Sequence, residues 1–138
     1  MRQEILVIDA QGGGIGRQII QQVKKRMPGC FITAVGTNST ATANMLKAGA
    51  DQGGSGENSV IVTCRSASVI IGPIGIAIAD SMLGEVTPAM AAAVGQSSAH
   101  RILIPFNHCG SVIAGVEDKN TGRLVEAAVR ELEEYLHQ

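Results

Sequence analysis

Aromatic residues are nearly missing from this sequence: two Phe, one Tyr and no Trp. That scarcity excludes the stacking platforms that hold single-stranded nucleic acid. It also means that the core must be built from Ile, Val, Leu, Ala and Met. An excess of one charge is missing too. The formal net charge is −1, so there is no basic footprint for a nucleic-acid backbone. Paired cysteines are absent. Cys30, Cys64 and Cys109 are odd in number and irregular in spacing, and are expected to be reduced thiols. His100, His108, Cys109 and His137 show no recognised metal-ligand spacing, so no metal is expected. No span for a bilayer is apparent. An apolar run such as Ser66 to Ala79 is too short and is broken by Gly72, Pro73 and Gly75. Met1-Arg2-Gln3-Glu4 leads straight into a strand and leaves no room for a signal peptide. The expectation is a soluble, cytoplasmic protein without membrane or nucleic-acid partners.

What is present centres on one stretch, Ile5-Leu6-Val7-Ile8-Asp9-Ala10-Gln11-Gly12-Gly13-Gly14-Ile15-Gly16-Arg17. Ile5 to Ile8 is a continuous apolar run that suits a central parallel strand covered on both faces. The glycines then allow backbone N–H groups to approach an anion closely. The following helix points its positive end at the same place. A phosphate- or carboxylate-bearing small molecule is therefore the expected ligand. Asp9, Gln11, Gly12, Gly13, Gly14, Ile15 and Gly16 form the first group of candidate contacts. The alternative is a tight strand-to-helix turn that binds nothing.

Known loop patterns fit in part. In the dinucleotide pattern Gly-x-Gly-x-x-Gly, Gly12 and Gly14 are spaced correctly but Gly16 comes one residue early. The triphosphatase loop fails, because Gly12 and Gly16 are a residue too close and Arg17-Gln18 replaces Lys-Ser/Thr. The Gly-x-x-x-Gly-Ile-Gly loop of short-chain dehydrogenases fits best through Gly14-Ile15-Gly16, with Ala10 in place of the first glycine. Its chemistry does not follow. That reaction needs Tyr-x-x-x-Lys, and Tyr135 is followed only by Leu136, His137 and Gln138. A nucleotide or dinucleotide is thus a cofactor class to test rather than an assignment. The ribose-binding acid that a dinucleotide fold places some 20 residues beyond the loop is also missing. Gly36-Thr37-Asn38 stands there, and no acid occurs before Asp51. Thr37 and Asn38 can bond a ligand's hydroxyl or phosphate oxygens, or can simply cap the next helix.

Periodicity places the remaining elements. Ile15, Ile19, Ile20, Val23 and Met27 share a helix face that Pro28-Gly29 terminates. A strand over Cys30 to Val35 follows, then a helix from about Ala41 to Ala48 closed by Gly49. Ala50-Asp51-Gln52 is a short strand and Gly53-Gly54-Ser55-Gly56 a loop. Glu57 to Arg65 suits strand or helix, and the length a parallel crossover needs favours helix. Ala67 to Ile71 is a strand with a turn at Gly72-Pro73-Ile74-Gly75. Ile76 to Leu83 is a short helix. Thr87 caps another, with Pro88 at its first position. Arg101 to Phe106 is a strand, Val112 to Val116 an edge strand, and Thr121 caps a final helix ending near Leu136.

Alternating strands and helices imply one α/β domain over residues 1–138. The expected architecture is a three-layer Rossmann-like sandwich with a mostly parallel sheet and helices on both faces. Its strand ends bring Asp9 to Gly16, Gly36 to Ser39, Gly72 to Gly75 and Asn107 to Gly110 to one rim, where ligands of open sheets bind. Gly72, Pro73 and Asn107 join the candidate contacts on that ground. The candidates for catalysis are Asp9, Glu85, His108 and Cys109. Asp9 or Glu85 would serve as a base and Cys109 as a nucleophile activated by His108. Against each stands a structural role: a turn bond for Asp9, a helix-end charge for Glu85, and a buried thiol beside a surface imidazole for Cys109. The high apolar fraction, 45%, leaves surface for a second subunit, and a homodimer is expected.

Long motifs also tie the chain to a family. They include Ile8-Asp9-Ala10-Gln11-Gly12-Gly13-Gly14-Ile15-Gly16, Gly36-Thr37-Asn38, Met45-Leu46-Lys47-Ala48-Gly49-Ala50 and Gly56-Glu57-Asn58. Ile70-Ile71-Gly72-Pro73-Ile74-Gly75-Ile76, Ser81-Met82-Leu83-Gly84-Glu85-Val86-Thr87-Pro88-Ala89-Met90 and Ile104-Pro105 continue them. Together they resemble a small bacterial family catalogued as domain of unknown function 3842. The resemblance covers nearly the whole chain and implies a single domain, with no mechanism attached. Three functions follow in order: small-molecule binding, an enzyme acting on that ligand, and a ligand-free structural or regulatory subunit.

Overall fold

The first strand is apolar on both faces, and both faces are covered. The computed structural model describes residues 3–106, 111–117 and 120–138. In it β1 (Ile5–Asp9) is buried throughout. Ile5 and Val7 enter one core cluster, Leu6 and Ile8 the other, as the two-residue period of a strand requires. Helix α1 (Gly14–Arg26) places Ile19, Ile20 and Val23 in the first cluster. Burying such a side chain contributes roughly 1.5–3 kcal/mol, so the apolar stripe, rather than the glycine-rich start, holds the helix in place.

Beyond α1 come β2 (Ile32–Gly36), α2 (Ser39–Lys47), β3 (Gln52–Ser55) and α3 (Glu57–Ser66). Then follow β4 (Val69–Pro73), a 3₁₀ turn at Ile74–Ala77, α4 (Pro88–Gln96), β5 (His100–Ile104) and α5 (Thr121–Leu136). All five strands are parallel, in the order β3-β2-β1-β4-β5. Helices α1, α2 and α5 supply one layer. Helices α3 and α4 supply the other, through Val60, Cys64, Met90 and Val94. The expected three-layer Rossmann-like α/β architecture is what the chain adopts, and residues 57–65 are helical.

Some local expectations are corrected. The third strand is not Ala50-Asp51-Gln52. It runs through the glycines Gly53 and Gly54, because a side chain would obstruct the close approach to β2 and α2. A Cβ on Gly53 would stand 3.0 Å from the Ala34 carbonyl oxygen and 3.1 Å from Thr42. Gly72 and Pro73 are the last residues of β4 rather than a turn beyond it. Helix over Ile76 to Leu83 is limited to the turn ending at Ala77, since Asp80, Met82 and Leu83 take positive φ (65°, 55° and 58°). The fifth strand starts at His100, whose ring stacks on Tyr135 of α5 at 4.1 Å. Residues 112–116 form no strand, and Val112 is 83% exposed. Asn120, not Thr121, caps α5, accepting from the Arg123 N–H at 3.0 Å. Among the described residues, no helix is long and apolar enough to cross a membrane.

Candidate functional site

The chain winds outward from β1 to β2 and β3, then returns to place β4 on the other side of β1. The order of winding reverses between β1 and β4, and ligands in open parallel sheets bind at such a switch point. Here the sheet also forks. Pairing of β1 with β4 stops at Val7 and Ile71, whereas β1 stays paired with β2 up to Asp9 and β4 with β5 up to Pro73. The last residues on either side of the fork are Ile8 and Asp9, and Gly72 and Pro73. A Cβ on Gly72 would collide with the Ile8 carbonyl oxygen. Gly72 is therefore fixed by packing at the root of the fork.

Asp9 closes β1 and turns its carboxylate into the start of α1. Its Oδ1 accepts from the Ala10 N–H at 2.8 Å and its Oδ2 from the Gly16 N–H at 2.7 Å. The residue is 3% exposed. Burial raises its pKa above the usual value, hydrogen bonds from Gly16, Ala10 and Ile15 oppose the rise, and the nearby charge of Glu85 adds to it. Asp9 thus ties the end of β1 to the first turn of α1 through Gly16, seven residues on, rather than making only the local turn bond weighed for it from the sequence. Gly16 sits against Met45 and Asp9, with no room for a Cβ.

The glycine loop divides into covered and open positions. Gly13 has φ 72°, donates to the Ala10 carbonyl at 3.0 Å, and would bring a Cβ to 2.8 Å from the Ala41 carbonyl oxygen. Gly12 and Gly14 differ. A Cβ at either would meet no atom within 4 Å, both are exposed, and neither N–H has a partner among the described residues. Gln11, also in the left-handed region at φ 53°, carries the turn between them and β1. Ile15 is partly buried against the first core cluster.

Two polar segments join this loop. Asn38 caps α2 by accepting from the Ala41 N–H at 2.8 Å, and its amide donates to the Gln11 carbonyl at 2.9 Å. Glu85, distant in sequence, accepts at Oε1 from the Gln11 N–H at 2.8 Å, the Thr37 hydroxyl at 2.7 Å and the Asn38 amide at 2.9 Å. Burial raises the Glu85 pKa, but the bonds from Gln11, Thr37 and Asn38 together outweigh it and hold the carboxyl below its usual range. Glu85 therefore does not act as a helix-end charge for α4. Thr87 caps that helix, accepting from the Met90 N–H at 3.1 Å.

The structure thus gathers Asp9, Gln11, Gly12, Gly13, Gly14, Ile15, Gly16, Thr37, Asn38 and Glu85 around the end of β1, with Gly72 and Pro73 across the fork. Asn107, His108 and Cys109 lie outside the described residues. Sequence reasoning missed Asn44, whose amide donates to the Gly12 carbonyl at 2.8 Å. It also missed buried Thr42, whose hydroxyl bonds the Gly36 N–H at 3.0 Å and the Gly54 carbonyl at 2.9 Å. Polar residues inside a helical pattern resemble solvated ones, so no local signal marks them. Among the described residues, no cluster of three or more His, Cys, Asp or Glu side chains has a metal-binding arrangement.

None of the curated proteins matches the sequence. Among solved structures, the chain is similar to a dodecameric FMN-dependent UbiX-like decarboxylase from Escherichia coli O157:H7. The two are 14% identical with a TM-score of 0.47, over 94% of this chain and 76% of that one. The model of the family described as Domain of unknown function (DUF3842) matches residues 4–137, and the chain belongs to that family.

Proposed function

We propose that this protein binds a small phosphate- or carboxylate-bearing molecule at the fork between β1 and β4. One observation carries the reading: Gly12 and Gly14 present uncovered N–H groups where the sheet's winding reverses. Thr37 and Asn38 flank the same opening. Asp9 already occupies the Gly16 N–H, so a ligand anion takes the outer N–H groups of the loop and opposes the charge on Asp9. For Asp9 and Glu85, hydrogen bonds to the glycine loop and its neighbours support a binding or positioning role over that of a base.

Gly14→Val tests the site. Outside its chain neighbours and the backbone of its own helix, the added Cβ meets no atom within 4 Å. The fold is expected to persist by circular dichroism while affinity for a phosphate-bearing ligand is lost. Unchanged affinity in a folded variant would sink the reading. A second copy of the chain as partner remains part of the proposal, with Leu83, 92% exposed, as apolar surface to be covered. Light scattering that gives a monomer mass would count against it.

A further inference from the structure

The acid missing from the end of β2 is replaced in space by one from elsewhere in the chain. In dinucleotide-type folds a carboxylate at the end of the second strand accepts hydrogen bonds from ribose hydroxyls. Here Gly36-Thr37-Asn38 ends that strand, and the side chains of Thr37 and Asn38 hold Glu85 instead. A third bond, from the Gln11 N–H, fixes the same oxygen to the glycine loop. All three donors converge on Oε1. Oε2 takes no donor among the described residues, and the side chain is only partly buried. The result is an ionised acceptor, fixed beside the glycine loop, with one oxygen left over.

The backbone that delivers it is strained. Asp80, Met82 and Leu83 are non-glycine residues with positive φ, and Gly84 follows at 84°. Such conformations persist only where the surroundings over-determine them, and they concentrate at ligand clamps. Here buried Met82 and Val86 pin the strap on either side of Glu85, and the Asp80 N–H donates to the Val86 carbonyl at 2.7 Å.

We propose that Glu85 Oε2 accepts a hydroxyl of a ribose whose phosphate lies over Gly12 and Gly14, so that the ligand is a ribonucleotide or a larger molecule containing one. The inference rests on the phosphate site proposed above and adds the sugar. Glu85 is then a binding residue for the diol.

The test uses ADP, 2′-deoxy-ADP, 3′-deoxy-ADP and inorganic pyrophosphate as probes, titrated by calorimetry and by amide chemical shifts. Wild type is expected to bind ADP at least tenfold more tightly than the weaker-binding deoxy analogue. Glu85→Gln retains an oxygen for the three donors, but its amide nitrogen replaces the free acceptor. It is expected to reduce the discrimination to about twofold or less, while pyrophosphate, relieved of a like charge beside the loop, binds at least as tightly as to wild type. Thr37→Val, which loosens Glu85 without removing it, serves as a second variant and is expected to weaken the discrimination in part. Pyrophosphate binding at Gly12 and Gly14 with equal affinity for ADP and both deoxy analogues would overturn the ribose proposal and leave the phosphate site standing. Discrimination that persists undiminished in Glu85→Gln would overturn it as well. Absence of shifts at Gly12 and Gly14 with every probe would overturn both.

Discussion

The two sides of the fork are built from similar letters and behave differently. On the β1 side, glycines and polar side chains form a network in which Asp9, Asn38, Asn44 and Glu85 hold the loop. Two glycines there face open space. On the β4 side, glycines are packed: Gly72 meets Ile8, and a Cβ on Gly75 would stand 2.7 Å from Met82. A hollow of about 180 Å³ beside it is lined by Ile74, Ile78, Phe106 and Ile113 among others. A glycine-rich segment is therefore not in itself evidence of a ligand. The discriminating feature is whether something already fills the space a side chain would take.

The largest expected effect that sharpens this contrast is at Gly72. Gly72→Val forces β4 away from Ile8 in the middle of the sheet, and overpacking of that kind costs about 1–3 kcal/mol or more. Denaturant titration is expected to show that loss, whereas Gly14→Val stays within about 0.5 kcal/mol of wild type. Equal losses at the two positions would erase the distinction between packed and open glycines.

Asp9→Ala comes next. It leaves the Ala10 and Gly16 N–H groups without their acceptor, and an orphaned buried donor costs about 1–3 kcal/mol. Relief from burying a carboxylate offsets part of this, so a net loss of about 2 kcal/mol is expected from thermal or chemical denaturation. A neutral result would mean that water replaces the carboxylate, and that the end of α1 is open to a ligand anion.

The smallest effect concerns pH. The folded-state pKa of Glu85 is depressed, so its contribution to stability is fully present above its unfolded value near 4.5 and is lost as pH falls through the folded value. Asp9 has the opposite sign. Its folded pKa is raised, so stability falls as pH climbs from its unfolded value near 3.8 through the folded one. Glu85 is partly exposed, and solvent screening holds its share well under 1 kcal/mol. Comparison of wild type with Glu85→Gln across the acid range is expected to show the variant gaining relative stability as pH falls. A constant difference would mean that the three bonds to Glu85 do not depend on its charge.

Much of the fold was legible because its signals are local. The apolar run of β1, the stripe of α1 and the Thr87-Pro88 start of α4 each specify an element within a few residues. Failures occurred where tertiary contacts overrode local preference. Gly53 and Gly54 look like a loop, yet become strand because β2 and Thr42 require their bareness. Ile76 to Leu83 looks helical, yet is drawn out of the helix by the strap that carries Glu85. The candidate site was legible on the same terms. The glycine loop, Thr37 and Asn38 could be read from sequence, whereas the bonds that Thr37 and Asn38 donate to Glu85 could not. They span 48 and 47 residues and depend on how β4 returns to the sheet.

The central claim is that the open glycines of the β1 loop hold a ligand, and native mass spectrometry of freshly purified wild type and Gly14→Val tests it most directly. The account predicts a phosphate- or carboxylate-bearing adduct on wild type that is absent from the folded variant. An adduct retained equally by both proteins would contradict it.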